Sequence, residues 1–170
     1  MKNSSVQTLA MTGMLIALAM VFSYIEALVP VFALIPGFRI GLANMAIIFA
    51  LYRLGFLKSL EISVIRVILS TLLFSNALSF IYSMAGAVTS LLLMAFLKKT
   101  GVFSTLGVSV CGAVMHNLSQ LLVAVLLFES SQLMYLLPFY VLSGTVAGVF
   151  IGLCGALILE RTKGLGYEGI

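Results

Sequence analysis

The sequence predicts an all-α integral membrane protein, a bundle of six transmembrane helices with both termini cytoplasmic. Three observations predict it. Hydrophobic residues make up 62% of the chain and charged residues only 8%, against roughly 25% charged in ordinary soluble domains, and the mean hydropathy is +1.25. The apolar residues fall in long runs, not in the alternating segments of roughly 10 residues that a membrane β-barrel needs. The basic residues, finally, gather at the ends of those runs. With spans of about 20 residues, the helices use most of the 170 residues and leave one membrane domain, 1–170.

The first span is expected over residues 6–29. The run from Val6 to Val29 is too long for a signal peptide and lacks a small-residue cleavage pattern, so it reads as a retained span with Glu26 near its far end. Pro30 and Pro36-Gly37 then interrupt an apolar connector, VFALIPGF, expected to dip into the membrane surface or to cap the bundle. The second span, 40–54, is short for a crossing, with Arg39 just before it and Asn44 in its first turns. A tight turn at Gly55, flanked by Arg53 and Lys58, leads to the third span, 57–75, which holds Glu61 and Arg66. Asn76 marks the next turn, and the fourth span, 77–97, is closed by Lys98-Lys99 and Gly101. The fifth runs over 103–128, Glu129 to Ser131 make a loop, and the sixth, 133–159, is stopped by Glu160-Arg161 and a glycine-rich tail.

Six spans bring both termini to one side. Lys2, Arg53, Lys58, Lys98, Lys99, Arg161 and Lys163 fall there, Arg39 falls opposite, and Arg66 is left inside a span. The positive-inside rule makes that side cytoplasmic. It also accounts for the net charge of +4 without a nucleic-acid partner. The expected location is the bacterial plasma membrane, crossed several times.

The fifth span carries the polar spot around which the chain is organised. In GVSVCGAVMHNLSQLLVA, His116 and Gln120 are four apart and share a helix face, with Asn117 beside them. Three such side chains cannot face hydrocarbon without cost, so they face the protein interior or a wet cavity. Depth along the spans brings Glu26, Asn44, Tyr82, Ser83, Tyr140 and Ser143 to the same outer half. Such a set is either an interhelical hydrogen-bond cluster or an outward-facing pocket. Arg66 is the costliest residue, disfavoured by about 2.5–3.5 kcal/mol at a span centre. It either contacts a ligand or has a structural role, with a partner on another helix or a lipid headgroup in preference to Glu61, five residues away.

Several activities are excluded. All five acidic residues are glutamates, so aspartate-rich metal motifs and a Ser-His-Asp triad are absent. No phosphate-binding loop ending in lysine and serine or threonine occurs. One histidine gives no histidine-rich metal site, and Cys111 and Cys154 lie in apolar runs with no second ligand at usable spacing. No cofactor, metal or catalytic residue is expected, and the chain reads as a binder or conduit. Gly144, Gly148, Gly152 and Ala156 form a small-residue stripe on the sixth span, and Gly13 with Ala17 a shorter one on the first. Such stripes admit a close helix, either within the bundle or from a separate membrane subunit.

PGFRIGLANMAIIFALYRLG (Pro36 to Gly55), RVILS (Arg66 to Ser70), YSMAGAVTSLLLM (Tyr82 to Met94) and VSVCGAVMHNLSQLLVA (Val108 to Ala124) together resemble the Gx transporter family, also described as heptaprenyl diphosphate synthase component I. In size, six-span layout and cytoplasmic termini the chain is also similar to the substrate-binding S components of energy-coupling factor (ECF) transporters. The resemblance implies a subunit that captures a small molecule from outside and works with a membrane coupling protein and ATPase subunits. The pocket would be lined by Arg39, Asn44, Arg66, Tyr82, His116, Asn117 and Gln120, with Gly13 and Ala17 as docking residues. The alternative is a noncatalytic membrane partner in heptaprenyl diphosphate or isoprenoid-quinone biosynthesis.

Overall fold

The computed structural model describes residues 2–28, 41–74 and 76–162, with side chains described from Val6. The connector with Pro30, Pro36 and Arg39, and the tail with Lys163, lie outside the described residues. Among the described residues all regular structure is helical: α1 (Lys2–Ala27), α2 (Asn44–Arg53), α3 (Phe56–Phe74), α4 (Ala77–Thr100), α5 (Thr105–Phe128) and α6 (Leu137–Arg161), with a short 3-10 helix, Ser131–Leu136, before α6.

Local chemistry sets the ends. Asn76 and Ser104 cap α4 and α5 by accepting the amides of Ser79 and Gly107 at 2.9 and 3.2 Å. Gly101, at φ +71°, ends α4 in the left-handed region beyond Lys98-Lys99, so this helix runs three residues past the expected boundary at Leu97. The sixth element is divided where one helix was expected from Leu133, because Pro138 sits in the first turn of α6 and offers no amide to a continuous helix.

Four stretches are long and apolar enough to cross a bilayer: Val6–Ala27, Ala77–Thr100, Thr105–Phe128 and Ser131–Arg161. They turn large apolar side chains outward, with Leu126 68% and Phe96 65% exposed, as a lipid-facing surface requires and a water-facing one does not tolerate over so wide an area. α3 is 19 residues long but carries Lys58, Glu61 and Arg66. α2 is the larger departure. Helix begins at Asn44, four residues later than the expected start at Ile40, because Gly41 at φ +81° holds the chain left-handed. Its ten residues rise about 15 Å, half of a hydrocarbon core of about 30 Å.

The helices form a closed ring. α6 packs on α5, α5 on α4, α4 on α3 and α3 on α1, and α2 completes it by touching α1, α3 and α6. α2 is buried nearly all round, from Ala46 through Leu51 and at Asn44 and Arg53. A helix apolar on every side belongs inside a bundle, and Ile47, Leu51 and Ala50 form the main core with Leu15, Ile62, Leu91 and Val108.

The α5–α6 seam corrects one expectation. A Cβ at Gly144 would stand 2.9 Å from Val114 Cα, at Gly148 2.6 Å from Val110 Cα, and at Gly152 2.9 Å from Ser109 Cβ. The stripe is therefore covered by α5 of the same chain, where missing side chains let two backbones approach, and Gly144, Gly148 and Gly152 do not form a docking surface for another subunit. Ser109 fastens the contact by donating to the Gly148 carbonyl at 2.9 Å. On α1, by contrast, Gly13 and Ala17 are exposed, and a Cβ at Gly13 would meet nothing within 4 Å.

Candidate functional site

The helices bury polar side chains at the end of the bundle that holds the C-terminus of α1 and the N-terminus of α2. Each helix does so through its own periodicity. α1 turns Ser23 and Glu26 inward, three residues apart, and α3 turns in Ser63, Arg66 and Ser70, three and four apart. α4 contributes Tyr82 and Ser83, α5 His116, Asn117 and Gln120, and α6 Tyr140. His116, Asn117 and Gln120 are 2%, 1% and 0% exposed, so none of them faces lipid. The expected stack on one face of α5 is present, with Gln120 Nε2 3.1 Å from His116 Nε2.

The imidazole has room because the neighbouring helices are cut away. A Cβ at Gly86 of α4 would stand 2.9 Å from both Cε1 and Nδ1 of His116. A Cβ at Gly41 would stand 3.0 Å from Asn44 Nδ2 and 4.0 Å from His116 Cδ2. The short α2 thus starts at the depth of His116, and Asn44 joins the α5 set through the space over Gly41. Glu26 ties this turn to α1, its Oε1 accepting the Leu42 amide at 2.6 Å. A carboxylate beside the first turn of a helix is stabilised by the helix dipole.

The predicted residues divide by use. Asn117 donates to the Tyr140 carbonyl at 3.1 Å and the Ser143 hydroxyl at 3.2 Å, so its amide nitrogen holds α6 against α5. Thr89 and Ser119, 2.7 Å apart, join α4 to α5 in the same manner. Tyr82 Oη, Ser83 Oγ and Gln120 Oε1, with Ser23 Oγ on α1, are buried without a hydrogen-bond partner among the described residues. Each such group costs about 1–3 kcal/mol when left unsatisfied, and buried groups of this kind are normally met by water or ligand. Arg66 is 2% exposed and faces the interior, while Glu61 pairs instead with Lys58 at 2.7 Å on the surface. Arg39 lies outside the described residues.

Sequence reasoning passed over Ser23, Gly41 and Gly86. The glycines have a weak signal, since Gly41 follows Arg39 and precedes Asn44 by three residues, but their role depends on a ring carried by another helix. Among the described residues no three His, Cys, Asp or Glu side chains gather as a metal site requires.

Fold and interior together define a multi-pass helical membrane protein with a buried polar centre at one end of its ring of helices. Residues 15–158 match the family model for heptaprenyl diphosphate synthase component I. That covers most of the chain, and the protein belongs to this family. No curated protein and no solved structure matches it.

Proposed function

We propose that the chain is a noncatalytic, substrate-binding membrane subunit that captures a small polar molecule at the Asn44–Tyr82–His116–Gln120 centre. The observation that carries this is the set of buried, unpartnered oxygens on the facing helices α4 and α5, Tyr82 Oη, Ser83 Oγ and Gln120 Oε1. All of them can accept hydrogen bonds and the hydroxyls can also donate, which suits a ligand with both kinds of group. In this proposal α2 and α3 complete six crossings, both termini are cytoplasmic, and the polar centre opens to the outside of a bacterial plasma membrane. The basic residues at the opposite end, Arg53, Lys58, Lys98, Lys99 and Arg161, support that orientation. Energy for release would come from a membrane coupling protein and ATPase subunits on other chains, in the manner of ECF transporters. The exposed Gly13–Ala17 face of α1 is the docking surface that remains available to such a partner.

The test is ligand binding by the purified protein across a panel of vitamins and isoprenoids. His116→Ala with Gln120→Ala should weaken the bound compound at least about tenfold, the worth of roughly 1.4 kcal/mol of lost hydrogen bonding, while the variant still folds. Binding unchanged in a folded double variant removes the assignment.

A second reading is favoured by the family description, which names a component of heptaprenyl diphosphate synthase. The chain would then be a membrane partner of a soluble prenyltransferase. With no aspartate in the sequence, catalysis would reside on that partner. Affinity purification from native membranes separates the two: ATPase subunits support the first reading and a prenyltransferase the second.

A further inference from the structure

A groove of about 330 Å³ opens between α1, α2 and α6, away from the polar centre and lined by none of the residues predicted to bind substrate. Its wall is apolar and rich in methionine, with Met11 and Met14 from α1, Met45 and Phe49 from α2, and Ile158 from α6. Methionine adapts to flexible apolar partners better than branched side chains do. At the end of this groove stands Arg53, 8% exposed. Its Nη2 donates to the Leu159 carbonyl at 3.0 Å and the Thr162 hydroxyl at 2.8 Å, but its Nε has no hydrogen-bond partner among the described residues. No described carboxylate lies within ion-pair distance of it. Lys98 adds a second cation at the same end of α2, bonded to the Leu51 carbonyl at 2.7 Å and lying over the Tyr52 ring.

A buried guanidinium with no counter-ion among the described residues, at the mouth of an apolar slot, is complementary to one kind of molecule: an anionic head on an apolar tail. Guanidinium N–H groups match phosphate oxygens, and arginine has more donors than the two bonds to α6 use. The bilayer supplies such a molecule at this end of the bundle, where basic residues gather and anionic headgroups are attracted. We propose that this groove holds an anionic glycerophospholipid, one acyl chain lying along Met11, Met14, Met45 and Phe49 and the phosphate on Arg53. The bound lipid would lie against α2 in the groove that α1 and α6 flank.

The test uses the full chain in nanodiscs of equimolar phosphatidylglycerol and phosphatidylcholine, with retained lipid counted by native mass spectrometry after transfer to detergent. Wild type should keep phosphatidylglycerol over phosphatidylcholine by about tenfold, because both lipids carry the phosphate but phosphatidylcholine also brings a trimethylammonium cation to the Arg53 end of the groove. Arg53→Gln should abolish that preference. Since Arg53 also clamps the end of α6, Met14→Trp, at a position 62% exposed, provides an independent arm by filling the slot. It should lower retention severalfold, whereas Leu126→Trp on the outer face of α5 should not. Equal retention of the two lipids by wild type, or wild-type retention by Met14→Trp, overturns the proposal. So does displacement of the lipid by glycerol phosphate alone, which would mark a headgroup site without a tail.

Discussion

Gly148→Ala separates local preference from packing. Considered on its own helix, the change is favourable, because alanine is preferred to glycine in helix interiors by about 0.8–1.0 kcal/mol. In the folded bundle the new methyl would stand 2.6 Å from Val110 Cα and 3.1 Å from Ala113 Cβ, well inside the contact distance of about 3.5–4.0 Å between carbons. The nearest atom is backbone, so no rotamer change relieves the clash and α5 must move away from α6 by about 1 Å to restore that contact. Overpacking of this kind costs about 1–3 kcal/mol. The Ser109 bond to the Gly148 carbonyl, 2.9 Å long, would be stretched as well, at about 0.6 kcal/mol for an average interhelical bond in a membrane protein. The net expectation is a loss of about 0.6–2.8 kcal/mol once the helix preference is set against these costs. Gly13→Ala is the control, since its methyl meets nothing within 4 Å and only the helix preference applies. Reversible unfolding of the purified protein, titrated from mild detergent into a denaturing one, reads both. Gly148→Ala as stable as wild type, or less damaging than Gly13→Ala, would refute the account of the α5–α6 seam.

Two further changes probe the polar centre. Gly86→Ala places a methyl 2.9 Å from the His116 ring and should displace the imidazole, weakening ligand binding at least about tenfold with a stability loss of about 1–3 kcal/mol; unchanged affinity would show that the ring's position does not matter. Glu26→Gln keeps an acceptor for the Leu42 amide, so it should destabilise less than Glu26→Ala, which leaves that amide unsatisfied at about 1–3 kcal/mol. Equal loss in the two variants, measured by the same unfolding titration, would mean that the hydrogen bond at the start of α2 is not what the carboxylate supplies.

The apolar runs, the turn at Asn76 and the His116–Gln120 stack are all properties of a single segment, and they could be located from the residues alone. Each depends on contacts between groups at most four apart in the chain. Boundaries moved where a local signal was outweighed: Gly41 postponed α2 in spite of an apolar run that continues through it. The polar centre was legible as a set of depths, because alternating helices place residues of like depth at one end of a bundle. Which members are spent on holding helices together, as Asn117 is on α6, was not.

The sequence by itself determined that this chain is helical and apolar, and that a polar spot on the fifth helix must turn inward. That much follows from hydrogen-bonding cost in a nonpolar medium and from helical period. Only the tertiary structure decided that the glycine stripe of α6 faces α5, that Gly86 makes room for the His116 ring, and that Arg53 lies buried at the end of a groove. A helix's period fixes the angles among its own side chains, but the neighbour each side meets is selected by the packing of the whole ring.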